Sequence, residues 1–282
     1  MLIAAAPRLI DAPVLMEEKI TSRHNPLVRR AREAREGKDR GLVFVEGLRL
    51  CEEAARAGLE VAAVLHTDAF ARDERARRLL DSLRPAAAKV AAVSDGVMGQ
   101  LSDTKSPQGV VLLARRPASG AGSLDARPGV APLVVVLHRV QNPSNAGAIL
   151  RVAEAAGATA IIATAQTADL FSPKALRGAM GSTFRLPVWA GAEFGEVLEW
   201  CARRGVRTVS TSLGAARTHA EIDWRGPRAV VVGSEGAGLG SEEAQAADDS
   251  IRIPMRAPVE SLNVAVAVAV VLYEAARQRD AL

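Results

Sequence analysis

The chain has 282 residues, long for one domain and comfortable for two. A hydrophobic content of 49% with 24% charged residues describes an ordinary soluble globular protein and excludes a disordered or fibrous one. The net charge is +4 and Lys occurs only at 19, 38, 89, 105 and 174, so Arg dominates; Arg forks onto phosphate, and the basic balance favours a polyanionic partner unless it reflects a bare bias toward Ala and Arg.

Residues 1–18 lack a positively charged start and a long apolar core, so no secretory signal is expected there, only a mobile tail. Residues 19–40 set eight basic residues, among them Arg23, Arg29 and Arg30, against Glu33, Glu36 and Asp39. A helix is expected here, either a solvated surface face or one that contacts phosphates. Leu42–Glu46 reads as a strand, followed by a helix through Cys51 to Ala57 that Gly58 stops. Strands are expected at Val61–Leu65, Val90–Val93 and Val110–Ala114, with a helix over 71–83. Leu101–Gly109, which contains Lys105 and Gln108, reads as a polar loop with no packing role. Residues 19–115 therefore form a small α/β domain, and the Pro- and Gly-rich stretch 116–130 is a linker.

The second domain, 131–282, opens with Leu133–Leu137, an unbroken apolar run typical of a strand covered on both faces. Asn142 to Gly147 read as a turn, with a helix running on to Gly157. Strand Ala160–Ala163 precedes a helix capped by Ser172 and Pro173 that carries Lys174 and Arg177. Strand Phe184–Val188, helix Phe194–Arg203 and strands Arg207–Thr211, Ala229–Val232 and Ile251–Ile253 continue the alternation. Ser261 occupies a good N-cap position for a closing Ala- and Val-rich helix without charge up to Tyr273, which should be buried nearly all round and is too short to cross a bilayer. The alternation predicts a mostly parallel sheet with ligands at the carboxyl ends of its strands.

Three loops follow buried strands: one at Asn142, one spanning Gly233 to Gly240, and one beginning at Pro254. In a parallel sheet they share one edge, which favours a ligand site there over a merely capped core. The glycine loop lacks the Lys of a P-loop and the spacing of the dinucleotide fingerprint. Cys51 and Cys201 are too few for a disulfide framework and fit a reducing cytoplasm; the four His residues are scattered, so no metal site is expected.

Asn142-Pro-Ser-Asn145-Ala-Gly-Ala-Ile-Leu-Arg151, Gly233-Ser-Glu235-Gly and Ile253-Pro-Met255 leading to Ser261-Leu-Asn263-Val resemble the three motifs of SpoU-type (TrmH-family) RNA ribose methyltransferases, in that family's order. Phe44-Val-Glu46-Gly47 and Thr104-Lys-Ser-Pro-Gln108-Gly109 resemble the family's substrate-binding domain. The resemblance implies an L30e-like N-terminal domain and a C-terminal domain of the SPOUT type with a trefoil knot. It also implies S-adenosylmethionine as methyl donor, 2'-O-methylation of ribose in RNA, and a homodimer through the C-terminal domain. By the same resemblance Asn145, Arg151, Glu235, Ser261 and Asn263 are the active residues. Gly233, Ser234, Glu235, Gly238, Ile253, Met255, Ser261, Leu262 and Asn263 would hold the cofactor. Arg23, Arg29, Arg30, Lys105, Gln108 and Arg177 are the candidate RNA contacts, with Arg177 in a segment similar to an RNA-contacting one of the family. Ala179 stands where that segment often has Ser, and Asn142 and Ser144 depart from the commoner Asp-Pro-Gly-Asn of the first motif.

The donor sulfonium makes the methyl group reactive, so the protein mainly aligns the 2'-oxygen and assists loss of its proton. Guanidinium does not readily deprotonate, so the conservative role for Arg151 is to hold a phosphate and stabilise the developing oxyanion, the bland alternative being a surface pair with Glu154 or a neighbouring carboxylate. Ribosomal RNA is the expected substrate. Transfer RNA, or a non-catalytic RNA- or ribosome-binding role on the same fold, are the competing readings.

Overall fold

The computed structural model describes residues 19–124 and 129–279, which build two α/β units; the tail expected at 1–18 lies outside the described residues. In the first unit Asn25 caps α1 (Pro26–Arg35), its Oδ1 accepting from the Leu27 N–H at 2.9 Å. β1 (Leu42–Glu46) is buried throughout and leads into α2 (Leu48–Arg56). β2 (Val61–His66) is followed by two helices, α3 (Asp68–Arg72) and α4 (Glu74–Leu83), where one was expected. Asp73 divides them because its backbone is extended and its carboxylate caps Ala76. After β3 (Val90–Ala92) comes α5 (Asp95–Leu101), a helix that two glycines concealed in the sequence, and then β4 (Val110–Arg115). The strands pair in the order β1-β4-β2-β3, with β1 and β2 antiparallel to β4. Phe44, Leu65 and Leu113 face α1 and α5, whereas Val43, Val64 and Leu112 pack with Cys51 and Leu80 of α2 and α4.

The second unit contains β5 (Leu133–Leu137), α6 (Pro143–Ala155), β6 (Ala160–Thr164), α7 (Pro173–Ala179), α8 (Ser182–Arg185) and β7 (Val188–Ala192). It continues through α9 (Phe194–Arg203), β8 (Arg207–Thr211), β9 (Arg217–Thr218), β10 (Arg228–Val232), α10 (Ser241–Gln245), β11 (Asp249–Arg252) and α11 (Val264–Gln278). The expected strand at Phe184–Val188 begins instead at Val188: Pro187 has no N–H for the ladder and residues 182–185 coil into α8. The seven strands run β7-β6-β5-β10-β8-β11-β9 and every pairing is parallel. Ile149, Leu150, Val268 and Leu272 of α6 and α11 cover one face, and Val197, Trp200 and Cys201 of α9 the other.

Asn142 to Gly147 form the first turn of α6 rather than a loop, because Asn142 caps Ser144 and Pro143 suits the opening position. α11 starts two residues later than expected: Asn263, not Ser261, is its cap, and its Oδ1 accepts from Ala265 and Val266. Nor is α11 buried all round, for Val266 and Tyr273 are 50% and 45% exposed. Among the described residues no helix is long and apolar enough to cross a membrane.

Direct contacts join the units. The edge strand β1 lies against α7. Arg185 donates to Glu53 and, at 2.5 and 2.8 Å, to Glu154. Arg177 pairs with Asp103 at 2.8 Å, and Arg116 grips both oxygens of Asp169 while lying over the Phe171 ring. Within the stretch 116–130, Ser119 accepts from the Ala190 N–H, residues 121–123 make a 3-10 turn and Leu124 is buried against the α9 face.

Candidate active site

The carboxyl ends of β5, β10 and β11 carry the Asn142, Gly233 and Pro254 segments, as parallel strand order requires. β5 and β10 are neighbours, so Glu235, three residues past β10, reaches the start of α6. Its Oε2 accepts from the Gln141 N–H at 3.0 Å; Oε1 accepts from the Asn142 N–H at 3.1 Å and from Asn145 Nδ2 at 2.9 Å. Asn145 Oδ1 in turn accepts from Asn263 Nδ2 at 3.1 Å. A carboxylate only accepts and the α11 N–H groups only donate, so both amides have a single sense. Burial pushes the Glu235 carboxyl up, but the donors from Asn145, its own backbone, Gln141 and Asn142 outweigh it and hold it below the usual carboxylate range. Glu235 is thus an ionised anchor for three loops.

The glycine loop is folded tightly: Ser234 and Gly238 exchange backbone hydrogen bonds of 3.1 and 2.9 Å, and a Cβ on Gly233 would collide with the Gly238 carbonyl. Ile253 and Met255, past β11, are half-buried, whereas Ser261 and Leu262 are exposed. A tight turn with no Cβ at Gly233 leaves backbone N–H and C=O groups open to the close approach of a flat, partly charged ligand such as S-adenosylmethionine.

Of the five expected active residues the fold joins Asn145, Glu235 and Asn263 directly. Ser261 makes no side-chain hydrogen bond among the described residues. Arg151 stands six residues beyond Asn145 on α6, about 9 Å along the helix, exposed and outside the network. Its expected alternative partner, Glu154, is taken by Arg185. The backbone N–H groups of Gln141 and Asn142 were not foreseen as site donors, since no sequence signal marks them.

The candidate RNA contacts are spread over the first unit and α7. Arg29 and Arg30 pair with Glu33 and Asp39, Arg23 donates to His24, and Lys105 is exposed without an ion pair among the described residues. Gln108 caps α2 through the Leu48 N–H at 3.0 Å. The loop read as having no packing role wraps Glu46 instead. That buried carboxylate accepts from Ser102, from the Asp103 N–H at 2.9 Å and from Thr104 at 3.2 Å. A buried acid at a strand end needs such donors, and this was the available signal.

A family model described as SpoU rRNA Methylase matches residues 132–273, and one described as MRM3-like substrate binding domain matches residues 25–112. The 23S rRNA (uridine(2479)-2'-O)-methyltransferase of Streptomyces viridochromogenes is 32% identical over 245 residues, 85% of this chain and 84% of that one. The 23S rRNA (guanosine-2'-O-)-methyltransferase RlmB of Coxiella burnetii is 34% identical over 213 residues, 74% of this chain and 85% of that one. The structure of the SpoU methyltransferase AviRb from Streptomyces viridochromogenes with the cofactor AdoMet superposes with a TM-score of 0.82 at 29% identity, covering 91% of this chain and 98% of that one. The AdoMet-bound rRNA methyltransferase from Sinorhizobium meliloti gives 0.81 at 30% identity, over 92% and 97%. The chain belongs to the SpoU rRNA methylase family and is an RNA 2'-O-ribose methyltransferase that takes its methyl group from S-adenosylmethionine.

Proposed function

We propose that this enzyme methylates a ribose of 23S-type ribosomal RNA, with Asn145, Glu235 and Asn263 organising the reaction edge. The observation that carries the reading is the Glu235–Asn145–Asn263 hydrogen-bonded chain, which ties together the three loops a cofactor and a ribose must share. The bound cofactor supplies an electrophilic methyl group on its sulfonium. Glu235 holds the loops in register, and its three donors favour the ionised carboxylate, so it is a positioning residue. Gly233, Ile253, Met255 and Leu262 line the cofactor cradle, and Ser234 and Gly238 keep its turn closed. Arg151 and Arg177 meet RNA phosphates. The relatives named for 23S rRNA support the ribosomal over the transfer-RNA reading.

The same proposal includes a knotted C-terminal domain, an L30e-like N-terminal domain, metal-free chemistry and a cytoplasmic location. It includes a homodimer as well. Val266 and Tyr273 lie two turns apart on one face of α11 and, like Leu262 and Val259 before it, are exposed apolar side chains that a second copy would cover.

The test is transfer of label from methyl-labelled S-adenosylmethionine to deproteinised 23S, 16S and transfer RNA, followed by mapping of 2'-O-methyl positions. Label on 23S ribose is expected. Label confined to transfer RNA would replace the substrate in this proposal.

A further inference from the structure

The N-terminal unit contains a cleft of about 750 Å³, set between the start of α2, helices α3 to α5 and the loop that enters β4. The reaction edge of the other unit does not use it. Its volume lies in the range of small-molecule sites and easily admits one nucleobase. Phe70 and Met98 are buried and Leu48 is half-buried, giving it an apolar wall.

Four polar side chains complete the lining: Thr67, whose Oγ1 is taken by the Phe70 N–H, and Asp73, Asp95 and Gln108. Asp73 spends one carboxylate oxygen on the Ala76 N–H, and Asp95 makes no side-chain hydrogen bond or ion pair among the described residues. Gln108 accepts from Leu48 through Oε1, which turns its two amide N–H donors elsewhere. Exposed Arg49, Arg72, Arg77 and Lys105 adjoin the lining segments, and none makes an ion pair among the described residues. Acceptors and an amide donor in the lining match a base edge, and the exposed cations close to the lining residues in the sequence are candidates for the adjoining phosphates.

We propose that this cleft holds one unstacked purine of the RNA, guanine in preference, with Arg49, Arg72, Arg77 and Lys105 available to the flanking phosphates. Unpaired bases in RNA are held against apolar or aromatic walls and read along their Watson–Crick edge. Guanine alone presents two adjacent donors, N1–H and N2–H, to a carboxylate, and its O6 accepts from the Gln108 amide. The loop that carries Gln108 also carries Asp103, bound to Arg177 of α7. The loop that lines the cleft is thus tied to the second unit by an ion pair. The identity of the polymer rests on the methyltransferase reading; the base site rests on the cleft.

The test uses full-length protein with 13C-methyl methionine and four single-stranded RNA hexamers of uridine background that carry G, A, C or U at one central position. The Met98 methyl resonance should move with the G hexamer at concentrations roughly tenfold below those needed for the others, the discrimination of one good bidentate base contact. Gly99 lines the cleft and has open space where a Cβ would stand; Gly96 has equal space but is not part of the lining. Gly99→Leu should abolish the Met98 response and weaken binding of a 23S fragment about tenfold, the loss expected for one stacked base. It should leave S-adenosylmethionine affinity unchanged, and Gly96→Leu should behave as the parent. No response to any hexamer, equal responses to all four, or parental RNA affinity in Gly99→Leu would overturn the proposal. A Met98 response as expected, in a protein that transfers no methyl group to any RNA, would sink the functional reading and leave the base site standing.

Discussion

The side-chain amide of Asn263 donates to Asn145 Oδ1 at 3.1 Å, across 118 residues of chain. Asn263 also caps α11, so the start of that helix and the start of α6 are fixed against each other by one side chain. Asn145→Ala breaks this link and removes a donor from Glu235. Methyl transfer to RNA should fall by about 10²–10³, the loss typical of a preorganised polar group in a catalytic site. Single-turnover rates at saturating S-adenosylmethionine check it; a rate within a few-fold of the parent would show that Asn145 is only structural.

Hydrogen bonds hold the Glu235 carboxyl below its usual range, so its folded pKa lies below its unfolded one. Its contribution to stability is complete above the unfolded value, about 4.3, and fades as pH falls through the lowered folded value. Glu235→Gln should therefore melt below the parent at pH 7, and the gap should close progressively as pH falls below the unfolded value and through the lowered folded one. Melting temperatures of both proteins from neutral to acid pH are the measurement. A gap that is constant with pH would separate Glu235 from acid sensitivity.

α6 and α7 approach so closely that a Cβ on Gly147 would run into the Ala175 carbonyl oxygen and lie 3.0 Å from the Ala179 N. Gly147→Ala forces the helices apart, at a cost of about 1–3 kcal/mol for overpacking. Asn145 sits two residues away, so turnover should fall along with the melting temperature. A variant of parental stability and rate would mean that the helices yield freely.

Two carboxylates of the first unit, Glu53 and Asp103, hold arginines of the second. Half-exposed pairs of this kind contribute roughly 0–1 kcal/mol each, so a Glu53→Ala, Asp103→Ala double variant should fold normally. Limited proteolysis between the units should accelerate, and RNA methylation should slow while S-adenosylmethionine affinity holds. Unchanged proteolysis would assign the docking to the contact of β1 with α7.

At the opposite edge of the large sheet, Arg279 donates to four carbonyls: Trp224 at 2.6 Å, Ala131 at 2.7 Å, Gly226 at 2.6 Å and Pro132 at 3.1 Å. Arg279→Ala leaves all four partly buried without that donor and should cost about 2–4 kcal/mol. Arg279→Lys should restore only part of this, because an ammonium has three donors and no fork. Denaturant midpoints of the three proteins decide it.

Much of the second unit is legible in the chain. Leu133–Leu137 and Ala229–Val232 are unbroken apolar runs typical of covered strands, and α9 runs Phe194–Arg203 as its spacing predicts. The three loops could be assigned to one edge because parallel strands all end there. These are local signals, written within ten or fifteen residues. The first unit was less clear where local signals conflict: Gly96 and Gly99 hid α5, and Asp73 cut a continuous helical pattern in two. What the tertiary structure alone decided is which polar groups meet. Ser261 and Asn263 are both good caps in isolation, and Asn263 prevails where Asn145 stands ready to accept from its amide. Glu46 and the Leu101–Gly109 loop, like Glu235 and the Gln141 backbone, are more than fifty residues apart, and only strand order makes them neighbours. Arg35 shows the same from the other side: it sits in a charge run, yet it donates to the carbonyls of Gln100, Leu101 and Ser102 and closes the end of α5. Charge and helical period are properties of a segment, whereas the partner of a buried donor is a property of the packed chain, because desolvation makes that partner obligatory and only folding supplies it.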